Sequence, residues 1–353
     1  MTASLTRNYN RITMRRLITA ALSLAVVGIG RAQSITPSPD PNTLHATSTL
    51  VVVPALVETP AKEVVYSLSA ADFLVTDNGV PQKITLDRAS NQPLSLVVLM
   101  QTGGSAIHQF EQYRNLETML ANILGDPPNQ VSIVNFDSKP ETASPFSSDI
   151  EQWREAINQP DHGDDGAAIL DSLSFALRLL DQQPPANRRA ILLLSEPTDV
   201  GSKTTIKEVL RTAGETNTAI YTLTFNPQKT AFKDAFKQNA HLNPPLKVGD
   251  GVYQAYFNLS EPLGMILGAM QKNLAAEMAT LTGGEAAHFD TRHDLDEALA
   301  TLATHIRNRY LLTFNPTQPT AGLHTLQVHL NNHPDLIVSA RTTYWSPDAA
   351  PKH

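Results

Sequence analysis

The sequence predicts an α/β protein: a doubly wound, mostly parallel sheet with helices on both faces, inserted between two β segments. Three observations carry this reading. Between residues 93 and 310, short continuous apolar runs alternate with stretches whose apolar residues recur at helical spacing, the pattern of buried parallel strands and their covering helices. Outside those bounds the pattern is strands and turns. Asn78-Gly79 separates two strand-like runs, and that pair tolerates the positive φ of a tight hairpin.

The elements follow in chain order. Residues 1–32 have the form of a secretory leader. Arg15 and Arg16 precede the apolar run Leu17–Gly30, and Gly30-Arg31-Ala32 supplies a small-x-small cleavage site before Gln33. A retained N-terminal anchor is the alternative. Residues 33–47, with "SITPSPDPNT", read as a proline-rich linker. In the N-terminal β segment, 48–92, "TLVVVPALV", "VVYSL" and both halves of "FLVTDNGVPQKITL" read as strands.

The α/β domain spans 93–310 and its first strand is Leu96–Met100. Phe110, Tyr113, Leu116, Leu120 and Ile123 predict one helix, stopped by Gly125 with Pro127 and Pro128. "VSIVNF" (131–136), "AILLLSE" (190–196) and "AIYTLTF" (219–225) are the next strands. Helices with Leu173 and Leu177, and with Val209 and Ala213, facing inward lie between them. A polar insertion, 226–262, precedes a helix through Leu267, Met270, Leu274, Met278 and Leu281, and "EAAHF" (285–289) reads as an edge strand. The last helix is expected to start at Asp294, with Glu297 in capping-box position.

"YLLTF", "TLQVHL" and "LIVSARTTYW" form the C-terminal β segment, 311–346, before a tail, 347–353. Neither β segment is long enough to bury a core alone, so the two are expected to pack together as one small β unit.

Composition narrows the function. Loss of residues 1–32 removes five arginines and no acid, which takes the net charge from −7 to −12 and leaves no basic patch for nucleic acid or anionic lipid. The absence of cysteine excludes disulfides, thiolate catalysis and thiolate-bound metal. Walker A and dinucleotide fingerprints are also missing.

Ligands of doubly wound sheets bind at the carboxyl ends of the strands, which directs attention to "QTGGSA" (101–106), "DHGDDGAAILD" (161–171) and "SEPTDVGS" (195–202). The order and spacing of these loops resemble a von Willebrand factor A domain. Together with "ADFLVTDNGVPQKI", "VSIVNFDS", "ATLTGGEAAHF" and "IRNRYLLTFNPT", they resemble more closely the related secreted proteins abundant in acidobacteria, over roughly residues 48–345.

The resemblance implies a site in which Asp-x-Ser-x-Ser, a Thr and a further Asp hold Mg²⁺ or Mn²⁺, hard cations that take oxygen ligands. This chain departs from that pattern. Gln101 stands at the first Asp, Gly103 at the first Ser, Ala167 at the Thr and Glu196 at the last Asp; Ser105 alone matches. The expectation is therefore a degenerate site with no cofactor. A rearranged cation site drawing on Asp161, His162, Asp164, Asp165 and Asp199 is the alternative, and a solvated acidic loop is the plain reading of the same residues.

Catalysis at Ser105 is not expected, because Gly103-Gly104-Ser105-Ala106-Ile107 is not a nucleophile elbow and no base can be assigned to it. His324 and His329, five apart in a strand, point to opposite faces, and His288 and His293 flank a loop. The expected function is an exported, non-catalytic protein-interaction module, periplasmic or extracellular, whose partner is another protein. Its expected contacts are Gln101, Thr102, Ser105 and Glu196, with Tyr253, Tyr256 and Phe257 of the insertion. The alternatives are a cation-dependent adhesion protein using the 161–165 loop, a hydrolase, and an envelope scaffold that docks by strand addition.

Overall fold

The computed structural model describes residues 50–125, 128–226, 273–318 and 320–346. The leader, the linker, the tail and the insertion with Tyr253, Tyr256 and Phe257 lie outside the described residues.

A six-stranded sheet forms the α/β domain. β5 (Leu94–Gln101) lies near its centre, with β6 (Gln130–Phe136) and β7 (Pro140–Ser147) on one side. β8 (Arg188–Ser195), β9 (Thr218–Thr224) and β10 (Ala286–His288) lie on the other. All pairings are parallel except β6 with β7. The central strands β5 and β8 carry long apolar runs because helices cover both faces. On one face α1 (Leu116–Leu124), α2 (Ile150–Asn158) and α6 (Arg292–Arg307) pack through Leu120, Trp153 and Leu299. On the other, α3 (Ile169–Asp181), α4 (Ile206–Glu215) and α5 (Leu274–Thr282) pack through Leu173, Val209 and Met278.

The chain runs outward from β5 in both directions. The crevice between the carboxyl ends of β5 and β8 is therefore the topological switch point.

The flanking segments build a sandwich of two four-stranded sheets. β1 (Val51–Glu58) lies between β11 (Tyr310–Phe314) and β13 (Ile337–Ala340), and β4 (Thr85–Arg88) pairs with β11. In the facing sheet β12 (Gly322–Leu330) lies between β2 (Phe73–Asp77) and β14 (Thr343–Ser346), and the short β3 (Val80–Pro81) closes the hairpin on β2. Alternate residues face inward, among them Val51, Val53, Ala55, Phe73, Val75, Leu312, Phe314 and Leu326. Asn78 and Gly79 carry φ of 48° and 82°, which completes the hairpin that this pair encodes.

The sequence reading is corrected at several points. "VVYSL" is not a strand; Val64 makes only an isolated bridge to Glu58. The first predicted helix is broken into a 3₁₀ segment, Gly104–Tyr113, and α1, because Asn115 adopts a left-handed φ of 63°. β7 and α2 are additional elements. α6 begins at Arg292 rather than Asp294, and its capping box is Thr291 with Asp294, not Asp294 with Glu297.

Candidate functional site

Three loops meet at the switch point. Gln101, the last residue of β5, is fully buried, and its amide spans the crevice. Its Oε1 accepts from the Glu196 backbone N–H at 2.9 Å, and its Nε2 donates to the Gly103 carbonyl at 3.2 Å and to Glu196 Oε1 at 3.4 Å. Ser105 Oγ donates to the same Glu196 oxygen at 2.5 Å. A neutral amide N–H and a hydroxyl thus converge on the carboxylate from within the protein.

Gly103 shows why the loops close so tightly. A Cβ built there would lie 2.3 Å from the Asp164 carbonyl and 2.6 Å from that of Gly166, so no other residue fits. Gly163 and Gly166 are pressed against Asp137 and Ser138 in the same way. Gly104 N–H donates to the Asp164 carbonyl at 2.8 Å, and Gly163 N–H donates to that of Thr102 at 3.2 Å. The 161–166 loop therefore fills the space that a side chain on residue 103 would need.

Two acidic residues of the rearranged-site alternative, Asp164 and Asp199, are turned to loop donors. Asp164 accepts from the Ser138 hydroxyl, from Ser138 N–H at 3.1 Å and from Gly166 N–H at 2.8 Å. The Ser138 hydroxyl, then the Gly166 amide, hold its carboxyl below the ordinary carboxylate range. Asp199 Oδ1 accepts from Leu170 N–H at 3.0 Å and from Ser202 Oγ at 2.6 Å, which closes the start of α3. Ala167 pairs by backbone with Val200 in both directions. Among the described residues no three His, Asp or Glu side chains lie close enough to share a metal. The side chains at the switch point do not fit a hard cation: Gln101 presents an N–H toward Glu196, Ser105 is engaged by the same carboxylate, and Gly103 and Ala167 have no side-chain oxygen.

Two expected contact residues are corrected. Gln101 is 0% exposed and Thr102 4%, so both side chains lie beneath the surface and bond within the loops. Ser105 and Glu196 are half-buried at the surface of the crevice. Val200, four residues after Glu196 and bridged by backbone to Ala167, is 53% exposed, an apolar side chain that sequence alone did not single out. His324 and His329 also part company. His324 is buried in the sandwich against Asp77 at 2.6 Å and near Tyr344, whereas His329 is exposed. His288 and His293 pair with Asp290 and Glu297 at the surface.

A family model described as von Willebrand factor type A domain matches residues 96–198, from within β5 to just past the end of β8. Over that stretch the α/β domain is similar to von Willebrand factor type A domains. Solved structures similar to the chain include a von Willebrand factor type A protein from Catenulispora acidiphila, 10% identical with a TM-score of 0.41, over 85% of this chain and 64% of that one. Another is an aerotolerance-related membrane protein from Bacteroides fragilis, 14% identical with a TM-score of 0.40, over 60% of this chain and 98% of that one. BatB from Bacteroides thetaiotaomicron, a conserved hypothetical protein, is 13% identical with a TM-score of 0.39, at the same two coverages. No curated protein matches the sequence. No helix among the described residues is long and apolar enough to cross a membrane.

Proposed function

We propose that this von Willebrand factor A domain is a non-catalytic, metal-independent protein-interaction module, exported by its N-terminal leader and related to the secreted acidobacterial proteins it resembles. The observation that carries the reading is the closure of the switch point by its own side chains. Gln101 and Ser105 supply donors to Glu196, so the loops are held in one arrangement without a cation. The loops so held present the Ser105–Glu196 pair and, four residues after Glu196 in the same loop, the exposed Val200, polar and apolar groups of the kind a protein partner uses.

The Ser105 hydroxyl donates to the Glu196 carboxylate, which also accepts from Gln101, so both groups are engaged in holding the loops together. That supports a binding role over a hydrolytic one. Two measurements test the reading. Titration calorimetry of residues 33–353 with Mg²⁺ and Mn²⁺ is expected to give no saturable heat, and saturable binding abolished by Asp164→Ala/Asp165→Ala would restore the cation-dependent alternative. Capture of exported partners is expected to survive EDTA and to fall with Val200→Asp; capture that needs Mg²⁺ would sink the proposal.

A further inference from the structure

We propose that a cleft next to the switch point is the specificity subsite of this module and takes an acidic peptide segment of its partner. The proposal rests on the protein-interaction reading and adds the chemistry of what is bound. The cleft has a volume of about 620 Å³ and lies where the 3₁₀ segment, the end of α2 and the start of α6 meet. That size is within the range of ligand sites, roughly 300–1,000 Å³.

Its walls are rich in donors. Arg114 and Arg292 both line it, together with Glu111, Asn115, Asn158 and Gln159. Those three side-chain amides make no hydrogen bond to another described residue. Among the described residues the guanidinium groups make short-range pairs: Arg114 with Glu111 at 2.8 Å, where both side chains are exposed, and Arg292 with Asp296 at 3.5 Å. Pairs of this kind are weak and exchangeable, so an incoming carboxylate can take their place. The free amides can meet the backbone carbonyls of an extended segment.

The cleft is also joined to the closed site. His162, in its wall, sits edge-on to Phe110 at 5.7 Å between centroids, and two residues later the Asp164 carbonyl accepts from Gly104 N–H. Asn115 holds its left-handed φ of 63° at the rim and turns the 3₁₀ segment into α1 there. Backbone strain of that kind persists where the surroundings impose it. His162 thus links the wall of the cleft to the loop that closes over Gly103.

The probe is a fluorescein-labelled glutamate-rich decapeptide, read by fluorescence anisotropy against residues 33–353, beside a glycine-serine peptide and a lysine-rich peptide of equal length. Saturable binding of the acidic peptide alone is expected, weakened at least tenfold by Arg114→Glu/Arg292→Glu and weakened by added salt. Both arginines lie at the surface, and an unchanged melting temperature shows that the variant is folded. Three results overturn the proposal: no binding of the acidic peptide, equal binding by wild type and variant, or preference for a heparin oligosaccharide over the peptide. Failure here leaves the interaction reading standing if partner capture remains sensitive to Val200→Asp. Loss of both removes the reading itself.

Discussion

Gly103 and Gln101 are the residues on which the switch point turns. Restoring a hydroxyl by Gly103→Ser places a Cβ against two carbonyls of the 161–166 loop, and that of Asp164 cannot withdraw without breaking its bond from Gly104 N–H. Overpacking of this kind costs about 1–3 kcal/mol, so urea unfolding should show a lowered midpoint with an unchanged slope. Gln101→Leu should cost a similar amount for a different reason: the Glu196 backbone N–H loses its acceptor, and the Glu196 carboxylate keeps only Ser105 of its two donors. Neither outcome should depend on Mg²⁺. A magnesium-dependent melting temperature in wild type would show that the lock is not what holds these loops.

At the scale of elements, carboxylates act as caps and loop staples, and this gives the stability an acid limb. Asp164 is held below the usual carboxylate range by the Ser138 hydroxyl. Asp294 is raised by burial but brought lower on balance by the Asp290 and Thr291 amides and the Thr291 hydroxyl at the start of α6. A carboxyl whose folded value is depressed contributes stability above its unfolded value, near 4. It loses that contribution as the pH falls through the folded value. The melting temperature should therefore fall as the pH drops below about 4, and Asp164→Asn should lose less on acidification than wild type. Thr291→Ala removes one half of the α6 capping box and should cost about 1 kcal/mol, measured by chemical denaturation at neutral pH.

For the whole molecule the decisive feature is that the sandwich is built from both ends of the folded region. β1 has two strand neighbours, β11 and β13, and both come after the α/β domain. A chain lacking residues 310–346 should leave Val51, Val53 and Ala55 uncovered and aggregate, as size-exclusion chromatography would show; a soluble monomer of native helicity would contradict this. Arg341 ties the two parts. Its guanidinium, pushed down to about 10 by burial, donates to the carbonyls of Thr343 at 2.7 Å and Val52 at 3.3 Å and to Asn217 Oδ1 at 3.3 Å. Arg341→Ala should cost about 3 kcal/mol, because buried carbonyls are left without a donor.

Periodicity and turn chemistry were enough to read most of the architecture. Runs such as "LSLVVLM" and "AILLLS" are apolar on both faces because helices cover both, and Leu173, Leu177 and Val209 keep a helical period because one stripe is buried. Asn78-Gly79 encoded its hairpin locally. α2 was legible in principle, since Asp149 caps it and Ile150, Trp153 and Ile157 follow at helical spacing. β7 was not, because an edge strand with two prolines and an irregular register loses the alternation that marks a strand.

At the site, sequence spacing brought Gln101, Ser105 and Glu196 together as side chains without the ligands a cation needs. It could not show that Gln101 is buried, that the 161–166 loop fills the space above Gly103, or that Arg114 and Arg292 share a cleft. Those facts depend on approaches between residues 60 to 180 positions apart, which only the packed chain specifies. Local composition sets which elements form and which chemistry is absent; close packing of loops from different strands sets which side chains are posts and which face a partner.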